Sequence, residues 1–469
     1  MMIIVRHPGG APGILLPLAV RGFFENGGGV CYVVRIPRPD GNGAPRRALP
    51  ASGNAELESL SVEVIGAAAT YEVAVEPVAE AGPDGAGQDF TLRVLVDGRV
   101  AEEFPGVSVG KGQRGVEKVV NDKSTLIRVE VRNTPGVSLA DRAPAPGRYQ
   151  LTPAPTATAV APSEFEGSET KRTGYQGLAV AEDVSMVAVP DLVTIATRAD
   201  GSFDAELYIT AQGRLVDWCA NSGTRMAILD APPGLNAEGA LQWRKDLARD
   251  SAFGAAYYPH LVVANPLARP GATPADRFVT VPPSGHVAGI WARTDTARGV
   301  WKAPANEVCR GIARLAADVT TGEQDLLNPN QVNCIRSFGA NGLRVWGART
   351  LASVDQSWRY INVRRLFIFI EESIRRGTQW VVFEPNTPDL WARVRRTVGA
   401  FLNQLWMRGA LVGATPEQAY FVACDESNNP VASVDDGRLV VDVGLAPVKP
   451  AEFVIFRTSQ WQGGAETTD

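Results

Sequence analysis

Thr224-Arg225-Met226-Ala227-Ile228-Leu229-Asp230 is a short apolar run between polar ends, with no alternation inside it. Such a run reads as a strand covered on both faces, the kind that fills parallel sheets. Upstream, Val184-Ser185-Met186-Val187-Ala188-Val189-Pro190 has the same character. Downstream, Ala255-Ala256-Tyr257-Tyr258-Pro259-His260-Leu261-Val262-Val263 reads as a third strand. Leu207 to Trp218 has helical spacing, with Gly213 inside it as a weak point. Strands alternating with helices predict a central layered α/β domain, placed at residues 172–352.

Outward from that domain the texture changes. Leu15, Leu16, Leu18, Ala19, Phe23 and Phe24 recur at helical spacing, and Gly27-Gly28-Gly29 stops the helix. Val30 to Ile36 follows as a strand. This helix-strand unit, residues 1–48, is assigned to the central domain. Residues 49–142 carry period-two runs at Leu60–Val64, Tyr71–Val75, Phe90–Val96 and Leu126–Val131, with a short helix at Val116–Asp122. They predict a small, mostly-β inserted domain. Residues 143–171 are rich in Ala, Pro and Thr and read as a linker. The last unit, 353–469, predicts an α+β domain. Its helices are Ile361–Arg376 and Asp389–Arg408; its strands are Gln379–Phe383, Ala419–Cys424, Arg438–Val443 and a terminal Glu452–Arg457. No internal repeat is visible.

The chain has 469 residues, 45% hydrophobic and 21% charged, enough apolar material for sizeable cores. Gly (47) and Pro (33) are abundant, but no Gly-X-Y period exists, which excludes collagen. A formal net charge of -5 argues against a nucleic-acid partner. The run Leu366–Ile370 is closed in by Arg365 and Glu371, far short of the ~20 residues a span needs, so no membrane insertion is expected. The start, Met1 to Pro8, lacks a basic segment ahead of its apolar residues. The expected location is the cytoplasm of the producing cell.

Several motifs suggest chemistry. Gly110-Lys111-Gly112-Gln113-Arg114-Gly115 matches G-x-G-x-x-G, with Glu130 in the strand beyond to take a ribose. Gly106-Val107-Ser108-Val109-Gly110 matches G-x-S-x-G. Neither has the buried strand, tight turn and long helix its chemistry requires. A nucleotide-binding or hydrolytic enzyme using the Gly106–Gly115 loop is the alternative reading; a Gly-rich surface turn is the expectation. Gly27-Gly28-Gly29 follows a helix, the reverse of what a phosphate cradle needs. Glu371-Glu372 and Asp435-Asp436 read as solvated charge. Cys31, Cys219, Cys309, Cys334 and Cys424 are dispersed and read as reduced, mostly buried thiols. His7, His260 and His286 are isolated, so neither metal nor cofactor is expected. Arg359, Arg364, Arg365, Arg375, Arg376, Arg393, Arg395, Arg396 and Arg408 crowd one region with few acids. A field of one sign marks either solvated helix faces or an acidic partner.

Trp358-Arg359-Tyr360-Ile361-Asn362-Val363-Arg364-Arg365-Leu366, Phe383-Glu384-Pro385-Asn386 and the run Arg438 to Val454 resemble the contractile tail sheath proteins of phages and bacterial contractile injection systems. Leu18 to Gly28 with Cys31 to Arg35 is similar to the family's N-terminal helix-strand unit. Asn328 to Asn333 and Gly339 to Leu351 are similar to its central-to-C-terminal junction. The family has several dozen residues ahead of the helix-strand unit, including an N-terminal arm; this sequence reaches the unit by residue 15. The resemblance implies no catalysis. It implies a homo-oligomeric helical sheath around an inner tube protein, with baseplate and terminator or cap proteins as further partners. Such a sheath is metastable when extended and drives the tube through a target envelope on contracting. The particle is a phage virion or an injection particle. Exchanged β-strands join neighbouring subunits; the expected ones here are Phe453, Val454, Ile455, Phe456, Arg457, Thr458, Ser459, Gln460 and Trp461. Arg393, Arg395 and Arg396 are the expected inner-tube contacts.

Overall fold

The computed structural model describes residues 2–6, 15–35, 46–54, 56–64, 70–78, 89–110, 112–132, 137–151, 162–198, 201–266, 268, 271, 273 and 276–452. Strand β1 (Met2–Arg6) is followed by helix α1 (Leu16–Glu25) and strand β2 (Cys31–Arg35). The sequence carried no strand expectation for β1, yet it pairs in parallel with β2. Gly27 adopts φ +102° just past α1, the conformation that lets Gly end a helix.

The insertion then supplies β3 (Arg46–Pro50), β4 (Glu58–Val64), β5 (Tyr71–Pro77), β6 (Phe90–Val96), β7 (Arg99–Val107), helix α2 (Val116–Lys123), β8 (Ile127–Val131) and β9 (Gly147–Leu151). Its sheets run β3-β4-β8 and β7-β6-β5-β9, all antiparallel. Alternate side chains such as Leu60, Val62, Val73, Leu92, Val94 and Ile127 fill a core of its own. Residues 147–151 were expected in a linker. They pair along β5 instead, because Tyr149 and Leu151 complete the apolar face that β5 leaves open. A short helix at Pro162–Glu166 occupies more of that stretch, and a 3-10 helix at Gln176–Val180 follows it.

The chain returns through β10 (Met186–Ala188), helix α3 (Ala205–Ser222), β11 (Met226–Asp230), helix α4 (Ala237–Leu247), β12 (Gly254–Tyr258), β13 (Leu261–Ala264), β14 (Phe278–Val281) and helix α5 (Ser284–Arg298). Then come β15 (Glu307–Val308), β16 (Arg314–Leu315), β17 (Val332–Ser337) and β18 (Leu343–Trp346). The central sheet has order β15-β18-β17-β12-β11-β10-β1-β2, parallel from β2 across to β17. Every residue of β11 and of β12 is buried, as their unbroken apolar runs require. The single strand expected over Ala255–Val263 is two strands in different sheets. The break falls at Tyr258-Pro259, where proline has no N–H for a ladder, and β13 pairs with β14 and β16.

Helix α1 lies against α5 at very short range. A Cβ on Gly285 would lie 2.4 Å from the carbonyl oxygen of Ala19, and one on Gly289 2.3 Å from that of Phe23. Two glycines four apart face the same way on a helix, so together they clear a track for α1.

The C-terminal part holds helix α6 (Ile361–Gly377), helix α7 (Pro388–Met407), β19 (Tyr420–Ala423) and β20 (Asp442–Leu445), an antiparallel pair. Leu390, Trp391, Val394, Val398, Leu402 and Leu405 form the buried face of α7. Gln379–Phe383, expected as a strand, is a 3-10 turn at Gln379–Val381: Val381 and Val382 donate to carbonyls three residues back, and Phe383 has φ +69°. In the run expected as the strand Arg438–Val443, only Asp442 and Val443 lie in β20. The Asn429 side chain takes both backbone groups of Val440, at 2.7 and 2.9 Å, so none remain there for a ladder. Glu452 is in no strand, and Phe453 to Trp461 lie outside the described residues.

Candidate assembly sites

The Gly-rich loop closes on itself. Ser108 N–H donates to the Arg114 carbonyl at 2.9 Å, Val116 N–H to the Ser108 carbonyl at 2.8 Å, and Gly115 N–H to the Gly112 carbonyl at 3.2 Å. The N–H groups of Ser108, Gly115 and Val116 are thereby engaged within the loop itself. Glu117 stands in the first turn of α2, where its charge opposes an anion. β7, ahead of Ser108, is antiparallel, not the parallel strand of a nucleophile elbow. Glu130 pairs with Arg132. His260 and His286 are both buried; the central core residue Ala231 accepts from His260 Nε2 at 2.7 Å, and Gly22 of α1 abuts the His286 ring. His7 lies outside the described residues. Among the described residues no group of His, Cys, Asp and Glu could hold a metal ion, and no helix is long and apolar enough to cross a membrane. Cys219, Cys309, Cys334 and Cys424 are buried free thiols, and Cys31 is half-buried.

The arginine-rich region is mostly used inside the molecule. Arg364 lies 4.6 Å from the Trp358 ring and 4.7 Å from that of Phe253, and it pairs with Glu371 at 3.1 Å. Arg365 lies 4.9 Å from the Trp291 ring and pairs with Asp295 of α5. Both arginines are buried. Arg375 reaches both Glu372 and Glu182, and Arg376 joins the same Glu372. Glu371 is exposed, as expected of solvated charge, though it pairs with Arg364; Glu372 is largely covered and held by Arg375 and Arg376. Ile361 and Ile368 of α6 pack in the central core, whereas Leu366 and Ile370 pack in the C-terminal one. One helix thereby ties both cores, with Arg364 and Arg365 as pegs. The sequence showed the crowding of arginines but not their partners, because Phe253, Trp291 and Asp295 are far away along the chain.

On α7 the three expected tube contacts differ. Arg395 donates to the Cys424 carbonyl at 2.6 Å and lies 3.9 Å from Asp425. It is committed within its own domain. Arg393 is exposed, 5.2 Å from the Trp380 ring and 3.1 Å from Glu384. Arg396 is exposed and has no ion-pair partner among the described residues. Trp380, Arg393, Arg396, Thr397 and Ala400 outline one shallow surface depression.

A groove of about 1070 Å³ runs between the central and C-terminal parts, past Trp301, Trp346, Tyr360 and Lys449 to Glu452. The expected exchanged strand begins at its end. The sequence had no signal for the polar cluster around Glu452, because Asn328, Arg349 and Tyr360 are far from it along the chain.

This architecture belongs to the structural proteins of contractile tails. The chain is 31% identical to the helical sheath of the anti-feeding prophage in its contracted state, over 67% of this chain and 78% of that one, with a TM-score of 0.52. The family model for the phage tail sheath protein central domain matches residues 180–351, and that for the phage tail sheath C-terminal domain matches residues 353–460. The chain belongs to the contractile tail sheath family. It is also 27% identical to a chain of the anti-feeding prophage baseplate, over 82% of this chain and 91% of that one, with a TM-score of 0.51. The tail sheath protein of Vibrio phage KVP40 is 28% identical over 182 residues, 38% of this chain and 26% of that protein. The chain spans between 26% and 61% of the length of the first curated relatives it matches.

Proposed function

We propose that the chain is the subunit of a contractile sheath, a structural protein without catalysis of its own. It assembles helically around an inner tube, holds strain in an extended state, and contracts to drive the tube through a target envelope. The observation that carries this reading is the match of the central and C-terminal parts to the tail sheath family, together with the likeness of 67% of the chain to a contracted sheath. A helical array needs heterologous contacts that do not close a ring. Rearranged interfaces can release stored strain without a nucleotide. Two cores bridged by one helix suit a subunit that moves as a body while its contacts to neighbours change.

Within this reading, Phe453 to Trp461 cross to a neighbouring subunit as an added strand, joined by main-chain hydrogen bonds. Arg393 and Arg396 face an acidic inner tube. Baseplate and cap proteins close the two ends. The subunit is made in the cytoplasm of the producing bacterium and ends in a virion or an injection particle. The hydrogen bonds that Ser108, Gly115 and Val116 make inside the Gly106–Gly115 loop support reading it as a structural turn rather than as the site of a nucleotide-binding or hydrolytic enzyme. Negative-stain microscopy of particles from the producing cell is the test. Long narrow and short wide sheaths of the same subunit are expected. A chain that stays monomeric with its tube and baseplate present would falsify the reading.

A further inference from the structure

Glu452 is the last described residue before the segment assigned to strand exchange, and it is held from three sides. Its Oε1 accepts from Arg349 Nε at 2.8 Å and from Asn328 Nδ2 at 2.7 Å. Its Oε2 accepts from Arg349 Nη2 at 2.7 Å and from the Tyr360 hydroxyl at 3.1 Å. The two side chains of the ion pair are only 8% and 16% exposed. A two-pronged guanidinium-carboxylate pair resists rotation as well as separation.

Arg349 is itself fixed to the central sheet. The Asn333 side chain, on β17, accepts from Arg349 N–H at 2.7 Å and donates to its carbonyl at 2.8 Å. The same amide donates to the carbonyl of Ala256, on β12, at 3.1 Å. An unbroken series of hydrogen bonds therefore runs from two central strands to the root of the terminal segment. Behind Glu452 the next backbone attachment is Val448, whose N–H donates to the Ala410 carbonyl at 3.2 Å. Without the Glu452 contacts, the stretch from Val448 to Glu452 would supply up to ~14 Å of free reach, at ~3.4 Å per residue.

We propose that the Arg349–Glu452 pair is the anchor through which a pull on residues 453–469 reaches the central sheet. The two are positioning residues for contraction. The proposal rests on the strand-exchange reading. With the anchor, displacement of a neighbour turns this subunit; without it, the same displacement unwinds slack along the groove.

The test uses complete particles, with inner tube and baseplate, carrying full-length variants. Glu452→Gln keeps the shape and loses the charge. Arg349→Glu breaks the pair, and Arg349→Glu with Glu452→Arg reverses it. A chain lacking Phe453 to Asp469 is the control for strand exchange. The expected result for Glu452→Gln is a subunit melting temperature close to the parent's, with a loss of intact contracted sheaths in favour of sheared ones. The reversed pair should recover intact sheaths relative to Arg349→Glu alone. If Arg349→Glu fails to fold, Glu452→Gln decides. Intact contraction by Glu452→Gln, with failure of the shortened chain, overturns the anchor and leaves strand exchange standing. No recovery by the reversed pair, with a folded Arg349→Glu, also overturns it. Intact contraction by the shortened chain removes strand exchange and the anchor together.

Discussion

At the end of β11 the Asp230 carboxyl is cut off from water. Burial pushes its pKa up to about 7, against the opposing hydrogen bonds from Ser284. Ser284 N–H donates to its Oδ1 at 2.7 Å. The Tyr208 hydroxyl and the Gln212 amide donate to its backbone carbonyl at 3.0 and 2.8 Å. An unfolded aspartate ionises near pH ~4. Between that value and about 7 the folded chain keeps a proton that the unfolded chain has lost, so stability falls as pH rises through the window. Asp230→Asn should flatten this slope in denaturant unfolding measured across a pH series; an unchanged slope would show the group ionised when folded. Glu452 has the opposite sign. Burial raises its pKa, but the hydrogen bonds from Arg349, Asn328 and Tyr360 outweigh burial and hold the carboxyl below the usual range. Its contribution is present above the unfolded glutamate value and fades as pH falls through the lower folded one. Neither carboxylate stood out in the sequence, because each is set by residues distant along the chain.

Among the elements, the Gly-rich loop separates two glycines that look alike in sequence. A Cβ on Gly115 would lie 2.8 Å from the Gly110 carbonyl oxygen, whereas one on Gly112 meets nothing within 4 Å. Gly115→Ala is expected to cost ~1–3 kcal/mol as an overpacking strain. Gly112→Ala should stay within ~0.5 kcal/mol, as open surface substitutions do. Thermal unfolding of the two variants checks this; equal losses would mean the loop is built for something other than its own closure. Helix α7 carries the next prediction. Arg395 supports the Cys424 carbonyl, so its reversal would disturb the domain rather than a partner. Arg393→Glu with Arg396→Glu gives up only the exposed Glu384 and Trp380 contacts of Arg393, and should weaken attachment of sheath to tube, most at low salt where screening is least. Normal decoration of tubes by that double variant at low ionic strength would mean that these side chains only face solvent.

For the whole molecule, helix α6 joins the central and C-terminal cores, and the terminal segment is the proposed link between subunits. Gly463 to Asp469 reads Gly-Gly-Ala-Glu-Thr-Thr-Asp, with no large apolar side chain to add to an exchanged strand. Removing Gly463 to Asp469 should leave assembly and contraction intact. Removing Thr458 to Asp469 should leave a folded subunit that cannot hold a contractile sheath together, because the three cores are each built from many residues ahead of that segment. Microscopy of the two shortened chains separates the cases. Normal contraction by the second would place the connecting strand elsewhere.

Local choices were legible in the order of residues alone. Runs without alternation became β11 and β12, period-two runs became the insertion, and spacing with Gly stops delimited α1 and α6. These follow from nearest-neighbour chemistry, which a reading of sequence sees. Tertiary structure alone decided where those pieces needed a distant partner. Helix α1 has no capping side chain of its own; Asp191 accepts from the N–H groups of Leu15 and Leu16 at 2.7 and 2.9 Å. β1 and β9 are strands because β10 with β2, and β5, offer them edges. Gln379–Phe383 has strand-like residues but local turn bonds satisfied its backbone between two helices. The arginines of α6 read as surface charge until Trp291, Phe253 and Asp295 came within reach. A hydrogen bond or an ion pair acts over a few ångströms in space, and only folding sets which residues lie that close.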